Sequence, residues 1–225
     1  MRSKLIHGAT QEIVIKDEFI LDIKESLKEY KGFKFSSFTS KPTVIGQWEV
    51  KFEGVVYETY DIKITFDGYP EHLPKVYETS NKIPHEEDMH FNPPDWHACL
   101  FVSHQRWEVF PKGSSFLTFL KVPVHNFFLG QSFFSMYGHW PEGRERGHGN
   151  KGIVEYYQEL FGTKDKKIIY SLLRETFEES IPRQKKCPCN KKKRLKNCHG
   201  QTVTTLKENQ DPKLIFEAMQ IFKKN

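Results

Sequence analysis

Val44-Ile45-Gly46-Gln47-Trp48-Glu49-Val50-Lys51-Phe52-Glu53-Gly54-Val55-Val56-Tyr57 carries a strand–turn–strand signal. Val44, Trp48, Val50 and Phe52 alternate with polar neighbours, the period of a strand with one buried face. Glu53-Gly54 breaks the alternation for two residues, the length of a tight hairpin connection. A second run follows at 55–66 with Val55, Tyr57, Ile62, Ile64 and Phe66. Shorter extended segments at 33–39 and 75–79 flank this pair, so short connections give an antiparallel meander of four strands.

Working outward, Phe19, Ile20, Ile23, Leu27 and Tyr30 recur at helical spacing behind Asp17, a good N-cap residue, and Gly32 closes the helix. Between 80 and 112 the pattern dissolves into Pro, His and charge, and a loop of that length in a compact domain usually serves function. A Phe-rich run at 114–137 has helical character interrupted by Pro123, which predicts two pieces or a kink. Helices are expected at 151–161 and 165–180, and a last one opens at Pro212 with Leu214, Ile215, Met219 and Phe222. The fold class is α+β, an antiparallel four-stranded meander with flanking helices.

Composition narrows the function classes. Of 225 residues, 37% are hydrophobic and 19 are Phe, enough for a packed core and too many for a disordered chain. The absence of a basic-then-apolar leader and of an apolar run near ~20 residues predicts a cytoplasmic protein with no membrane partner. The net charge of +5 is unevenly spread: residues 183–200 hold eight Lys and Arg and no acid, leaving 26 basic against 29 acidic residues elsewhere. A nucleic-acid surface is therefore not expected on the main domain, and the basic tail reads as a partner-facing surface.

Three of the four cysteines lie in the tail and one, Cys99, in the long loop. That loop runs through Tyr69-Pro70-Glu71-His72-Leu73-Pro74-Lys75-Val76, His90-Phe91-Asn92, Cys99-Leu100, Trp107 and Pro111. The bland alternative for Cys99 is a buried, inert thiol. Another is a metal site or a Cys–His dyad with His85, His90, His97 or His104, whose spacings match no regular zinc pattern.

The order of these elements resembles the core of the ubiquitin-conjugating enzymes: a Tyr-Pro-x-x-Pro-Pro turn, a strand, a His-Pro-Asn triplet, a catalytic Cys-Leu, and a Trp eight residues beyond the cysteine. The resemblance spans roughly residues 10–162. It implies that Cys99 carries the C-terminal glycine of a protein modifier as a thioester and passes it to an acceptor lysine or other nucleophile. It also implies that Asn92 positions the loop or stabilises the oxyanion, that His90 belongs to the site chiefly as a hydrogen-bonded structural residue, and that Trp107 and Pro111 pack under the loop. Here Phe91 replaces the triplet's Pro, and Asn92 stands one residue closer to the cysteine than in most eukaryotic members. The Gly143–Gly149 segment is similar to one in bacterial relatives. These include conjugating enzymes of anti-phage CBASS operons, where the conjugated group is the C-terminal tail of a cyclic-oligonucleotide synthase, a nucleotidyltransferase. The implied partners are thus a modifier or such a tail, a candidate activating enzyme and an acceptor.

Cys187-Pro188-Cys189, then eight residues, then Cys198-His199-Gly200 resembles the SEC-C motif. Three thiolates and one imidazole form a standard tetrahedral zinc set, closed to substrate and therefore structural. The expected division is a catalytic domain at 1–162, a helical connection at 163–182, and a zinc module with a terminal helix at 183–225. That module is expected to fold only around its metal and to be separable from the rest. Two rival readings are a non-catalytic binding module of the same fold, and a zinc-dependent adaptor docking on nucleic acid or a secretion partner.

Overall fold

The structure is a computed structural model that describes residues 18–36, 42–69, 72–141, 147–189 and 192–223. Asp17, Pro70, Glu71 and residues 142–146 of the glycine-rich segment lie outside the described residues. Contacts group the chain into two compact units, Met1–Leu100 with Gly113–Pro141, and Phe101–Lys112 with Glu142–Asn225. The helices in chain order are α1 (18–26), α2 (Arg106–Val109), α3 (Phe116–Phe119), α4 (His125–Tyr137), α5 (Gly149–Leu160), α6 (Lys166–Glu175), α7 (Gly200–Asn209) and α8 (Pro212–Lys223).

The first unit contains the expected meander. Strands β1 (Lys34–Ser36), β2 (Thr43–Phe52), β3 (Val55–Thr65) and β4 (Lys75–Glu78) pair antiparallel in sequence order. Glu53 and Gly54 both have positive φ, 50° and 80°, the backbone that a two-residue hairpin turn requires. The register pairs Val44 with Ile64 and Trp48 with Tyr60, so one face of the sheet is a buried apolar row. Phe128 of α4 covers that row, its ring centroid 6.2 Å from Trp48 and 4.9 Å from Tyr60. Gly46 has a packing reason: a Cβ there would lie 2.7 Å from the Phe33 ring and 2.8 Å from the Gly32 carbonyl. As expected of Pro123, the run after Ser115 is two helices, α3 and α4, joined by a π-helical turn at Leu120–Val124.

The second unit has its own core. Ile153, Tyr156 and Tyr157 of α5, Ile169, Leu172 and Leu173 of α6, and Ile215, Met219 and Phe222 of α8 pack with Cys187, Leu195, Val203 and Leu206. The sequence-based division places residues 142–162 with the first domain and isolates 183–225, whereas the structure gathers both into this one core. The segment around the cysteines has too few apolar side chains to bury alone, and α5, α6 and α8 supply the rest. Helix α7 was not expected; its signal is the pair Val203 and Leu206, one helical turn apart. Helix α6 ends five residues short of its expected end, where Thr176 donates its hydroxyl to the Leu173 carbonyl at 2.7 Å.

His104 is fully buried in this unit, its Nε2 3.0 Å from the Leu214 carbonyl. Burial pulls its pKa below the ordinary imidazole value, against smaller upward effects of the Leu214 carbonyl and Glu217. In the unfolded chain the group returns to ~6.5, so the unfolded state binds more protons in the window below that value. The stability it contributes is present above ~6.5 and is lost as pH falls toward the folded value. His104→Gln is therefore expected to flatten the acid loss of second-unit stability in urea melts between about pH 7 and 5, and an unchanged slope overturns this. No helix among the described residues is long and apolar enough to cross a membrane.

Candidate nucleophile site and metal centre

Cys99 stands at the end of a small hairpin within the stretch expected to be a featureless loop. Strand β5 (Phe91–Asn92) pairs with β6 (His97–Ala98), Phe91 opposite Ala98 and Asn92 opposite His97. The Cys99 N–H donates to the His90 carbonyl at 2.7 Å and extends the pairing by one step. Side chains alternate along a strand, so Phe91 and Ala98 enter the core while Asn92, His97 and Cys99 share the other face. Phe91 anchors the hairpin against Phe127, and Gln131 of α4 donates to the Met89 carbonyl at 2.7 Å just before it. His90 and Trp96 hold left-handed backbone, φ 58° and 55°, at the entry and tip of the hairpin. Such strain in non-glycine residues costs about 1–3 kcal/mol each and tends to gather at functional sites.

A polar chain runs along this face. Asp95 accepts from Lys75 Nζ at 2.7 Å and from the Tyr77 hydroxyl at 3.1 Å, and its other oxygen meets His97 Nδ1 at 2.6 Å. Partial burial pushes the Asp95 carboxyl up, but the hydrogen bonds from Lys75, His97 and Tyr77 outweigh it and hold the group well below the usual carboxylate range. An ionised carboxylate accepts only, so it fixes the proton of His97 on Nδ1 and leaves Nε2 as an acceptor. Asn92 Nδ2 lies 3.3 Å from that Nε2 and 3.5 Å from the His97 carbonyl oxygen.

Burial raises the pKa of the half-buried Cys99 thiol, and the polar Asn92 side chain on the same face acts in the opposite direction. The thiolate is the reactive form, so Asn92→Ala removes a lowering effect and shrinks its share at neutral pH. Alkylation of Cys99 by iodoacetamide is thus expected to be slower in Asn92→Ala and to need higher pH; an unchanged pH profile refutes the side chain's influence.

The other expected residues are dispersed. The His90 ring packs edge-on against Trp140, with centroids 4.7 Å apart, and the residue serves Cys99 through its carbonyl. His85 lies against Phe91 and 3.4 Å from Glu78, and His104 is buried in the second unit. Trp107 packs on the second unit's core and donates to the Tyr156 hydroxyl at 3.0 Å, while Pro111 is exposed, so the expected packing of Pro111 under the loop is not found. Among the described residues no metal-capable cluster includes Cys99, which removes the metal reading of that cysteine there. Asp95, Lys75 and Tyr77 escaped sequence reading. Their only signal is Asp95-x-His97 just before the cysteine, and the two β4 residues reach Asp95 through side-chain contacts between separate sheets.

The tail cysteines do converge. Cys187, Cys189, Cys198 and His199 bring one ligand atom each to within 4.8 Å of one another, a cluster able to hold a metal ion. Cys187 Sγ is 3.2 Å and Cys198 Sγ 3.5 Å from His199 Nδ1, and the Cys189 and Cys198 sulfurs are 3.4 Å apart. A tetrahedral site with ~2.3 Å metal–sulfur bonds has edges of about 3.5–3.8 Å, close to these separations. His199 Nε2 lies 3.0 Å from the Phe161 carbonyl, which fixes its proton there and presents Nδ1 to the cluster. Burial pushes the Cys187 thiol up to about 11, so a cation is needed to hold it as thiolate at neutral pH. The backbone that aims these groups is a short antiparallel bridge between Lys186 and Arg194, and Gly200 follows because a Cβ there would lie 2.8 Å from the Leu195 carbonyl. Comparison of the chain with protein-family models, curated proteins and solved structures finds no match.

Proposed function

We propose that the first unit is a ubiquitin-conjugating-like acyl carrier, in which Cys99 takes the C-terminal glycine of a protein modifier or partner tail as a thioester and passes it to an amine. The observation that carries this reading is the single hairpin face holding Cys99, Asn92 and His97, with the Asn92 amide 3.3 Å from the His97 ring. The four-stranded meander ahead of it and the order of the motifs support the same fold family. The raised thiol pKa also suits a carrier. A thiolate of high pKa leaves slowly, so the resting thioester resists stray attack until hydrogen bonds stabilise the oxyanion and the departing sulfur.

In the second unit, Cys187, Cys189, Cys198 and His199 hold one structural zinc ion as a SEC-C-type module, and four protein ligands leave no position for chemistry. Exposed Lys193 and Lys196 beside it fit an acidic partner surface. The biological setting, a cytoplasmic conjugation step in bacterial antiviral defence, rests on the family resemblance alone. Co-expression of the full chain with the proteins encoded beside it tests the reading. A larger, reductant-sensitive species on a non-reducing gel is the expected result, and its absence with every neighbour overturns the proposal.

A further inference from the structure

The Asp95–His97 pair has a chemical role open to it that thioester carriage alone does not require. His97 and Cys99 are two residues apart on one strand face, which puts their Cα atoms about 6.5–7 Å apart with side chains pointing the same way. The imidazole is held from behind: Asp95 takes Nδ1 at 2.6 Å, and Lys75 and Tyr77 of β4 fix Asp95 in turn. The Tyr77 ring also lies 6.4 Å from the imidazole, so β4 presents a phenol and an ammonium to the pair, and the ammonium is already matched by Asp95. His97 is 25% exposed and can be reached by a substrate. What meets its free Nε2 is an Asn92 N–H at 3.3 Å, at the long end of the hydrogen-bond range and therefore easily given up.

Resting on the acyl-carrier reading of Cys99, we propose that His97, oriented by Asp95, is the general base that deprotonates the incoming amine. An acceptor lysine arrives as an ammonium ion. His97 Nε2 takes one proton from it, and the neutral amine attacks the thioester carbonyl carbon. As the carbonyl oxygen gains negative charge, the Asn92 N–H turns from His97 to that oxygen. The C–N bond forms and the C–S bond breaks with its electron pair going to Cys99 Sγ. The departing thiolate takes the second proton from the new amide nitrogen, and the imidazolium returns its proton to water. The resting Asn92–His97 contact thus covers the base until an acyl group is present to draw Asn92 away.

The test separates a base from a residue that merely props up Asn92. Full-length protein is loaded at Cys99 by exchange with a short peptide thioester ending in glycine, with Cys99→Ala as the blank for the other thiols. The loaded protein is then discharged to free lysine or to hydroxylamine, which is uncharged at neutral pH and needs no base to become a nucleophile. His97→Gln is expected to slow lysine discharge by ~10²-fold, at the low end of general-base effects, and to leave hydroxylamine discharge within a few-fold. Asn92→Ala is expected to slow both nucleophiles alike by ~10²-fold, the scale of one lost oxyanion donor. Equal slowing of both by His97→Gln, or no slowing of lysine, overturns the proposal. Should His97→Gln fail to load, Asp95→Asn, which keeps the shape and removes the charge, decides by the same comparison. Acyl-carrier function is judged separately by whether the native chain forms its adduct with a protein partner, so this proposal can fail while that reading stands.

Discussion

Cys99→Ala is expected to abolish the reductant-sensitive adduct completely, because no second thiol shares the face that carries Asn92 and His97. The three remaining cysteines sit together with His199 in a cluster able to hold a metal ion, and a bound metal would keep their sulfurs from acting as nucleophiles. Cys99→Ser should replace the thioester by an ester stable to thiols, and Cys99→Lys should trap an amide, since oxygen and nitrogen leave far less readily than sulfur. The fold should tolerate these changes: Cys99 is only half-buried, and its backbone bond to His90 does not depend on the side chain. A wild-type level of conjugation in Cys99→Ala, measured on non-reducing gels and by intact mass, removes Cys99 from the reaction.

Metal removal is expected to unfold the second unit as a whole, a larger effect than the loss of a small separable module. Cys187 and Leu195 are buried in the same core as α5, α6 and α8, and His199 is tied to the Phe161 carbonyl that ends α5. Structural zinc contributes an apparent ~10–16 kcal/mol in small modules, comparable to the ~5–15 kcal/mol that holds a whole domain together. Chelation or Cys189→Ser should therefore strip amide-exchange protection from α5 and α6 as well as from the cluster. Truncation at 183 should do the same, removing Val203, Leu206, Ile215, Met219 and Phe222 from that core at roughly 1.5–3 kcal/mol for each large side chain. The shared core of Cys187 and Leu195 with α5, α6 and α8 argues against a separable tail. Protection of α5 and α6 that survives chelation, with metal analysis confirming an initial one ion per chain, would show that the helices hold without it.

Much of the first unit was legible in the chain because its signals are local. Alternation at Val44, Trp48 and Val50, the left-handed pair Glu53-Gly54, and Pro123 each act through the backbone of a few neighbouring residues. The metal-capable cluster was legible for the same reason: four donors within thirteen residues need only one tight turn to meet. Sequence also singled out Cys99 and Asn92, seven residues apart, without showing how they meet. The β5–β6 hairpin is too short to leave a periodic pattern. Its pairing, set by the anchoring of Phe91 and the hold of Gln131, decides that Asn92, His97 and Cys99 face the same way. The support of Asp95 by Lys75 and Tyr77 comes from residues about 20 positions away, and only tertiary packing brings such partners together. Local patterns in the chain were enough to place the strands, their turn and the four metal-capable residues. Packing between distant segments set which polar side chains of the hairpin share a face and which helices pack against the cysteine cluster, because apolar burial is settled among segments far apart in the chain.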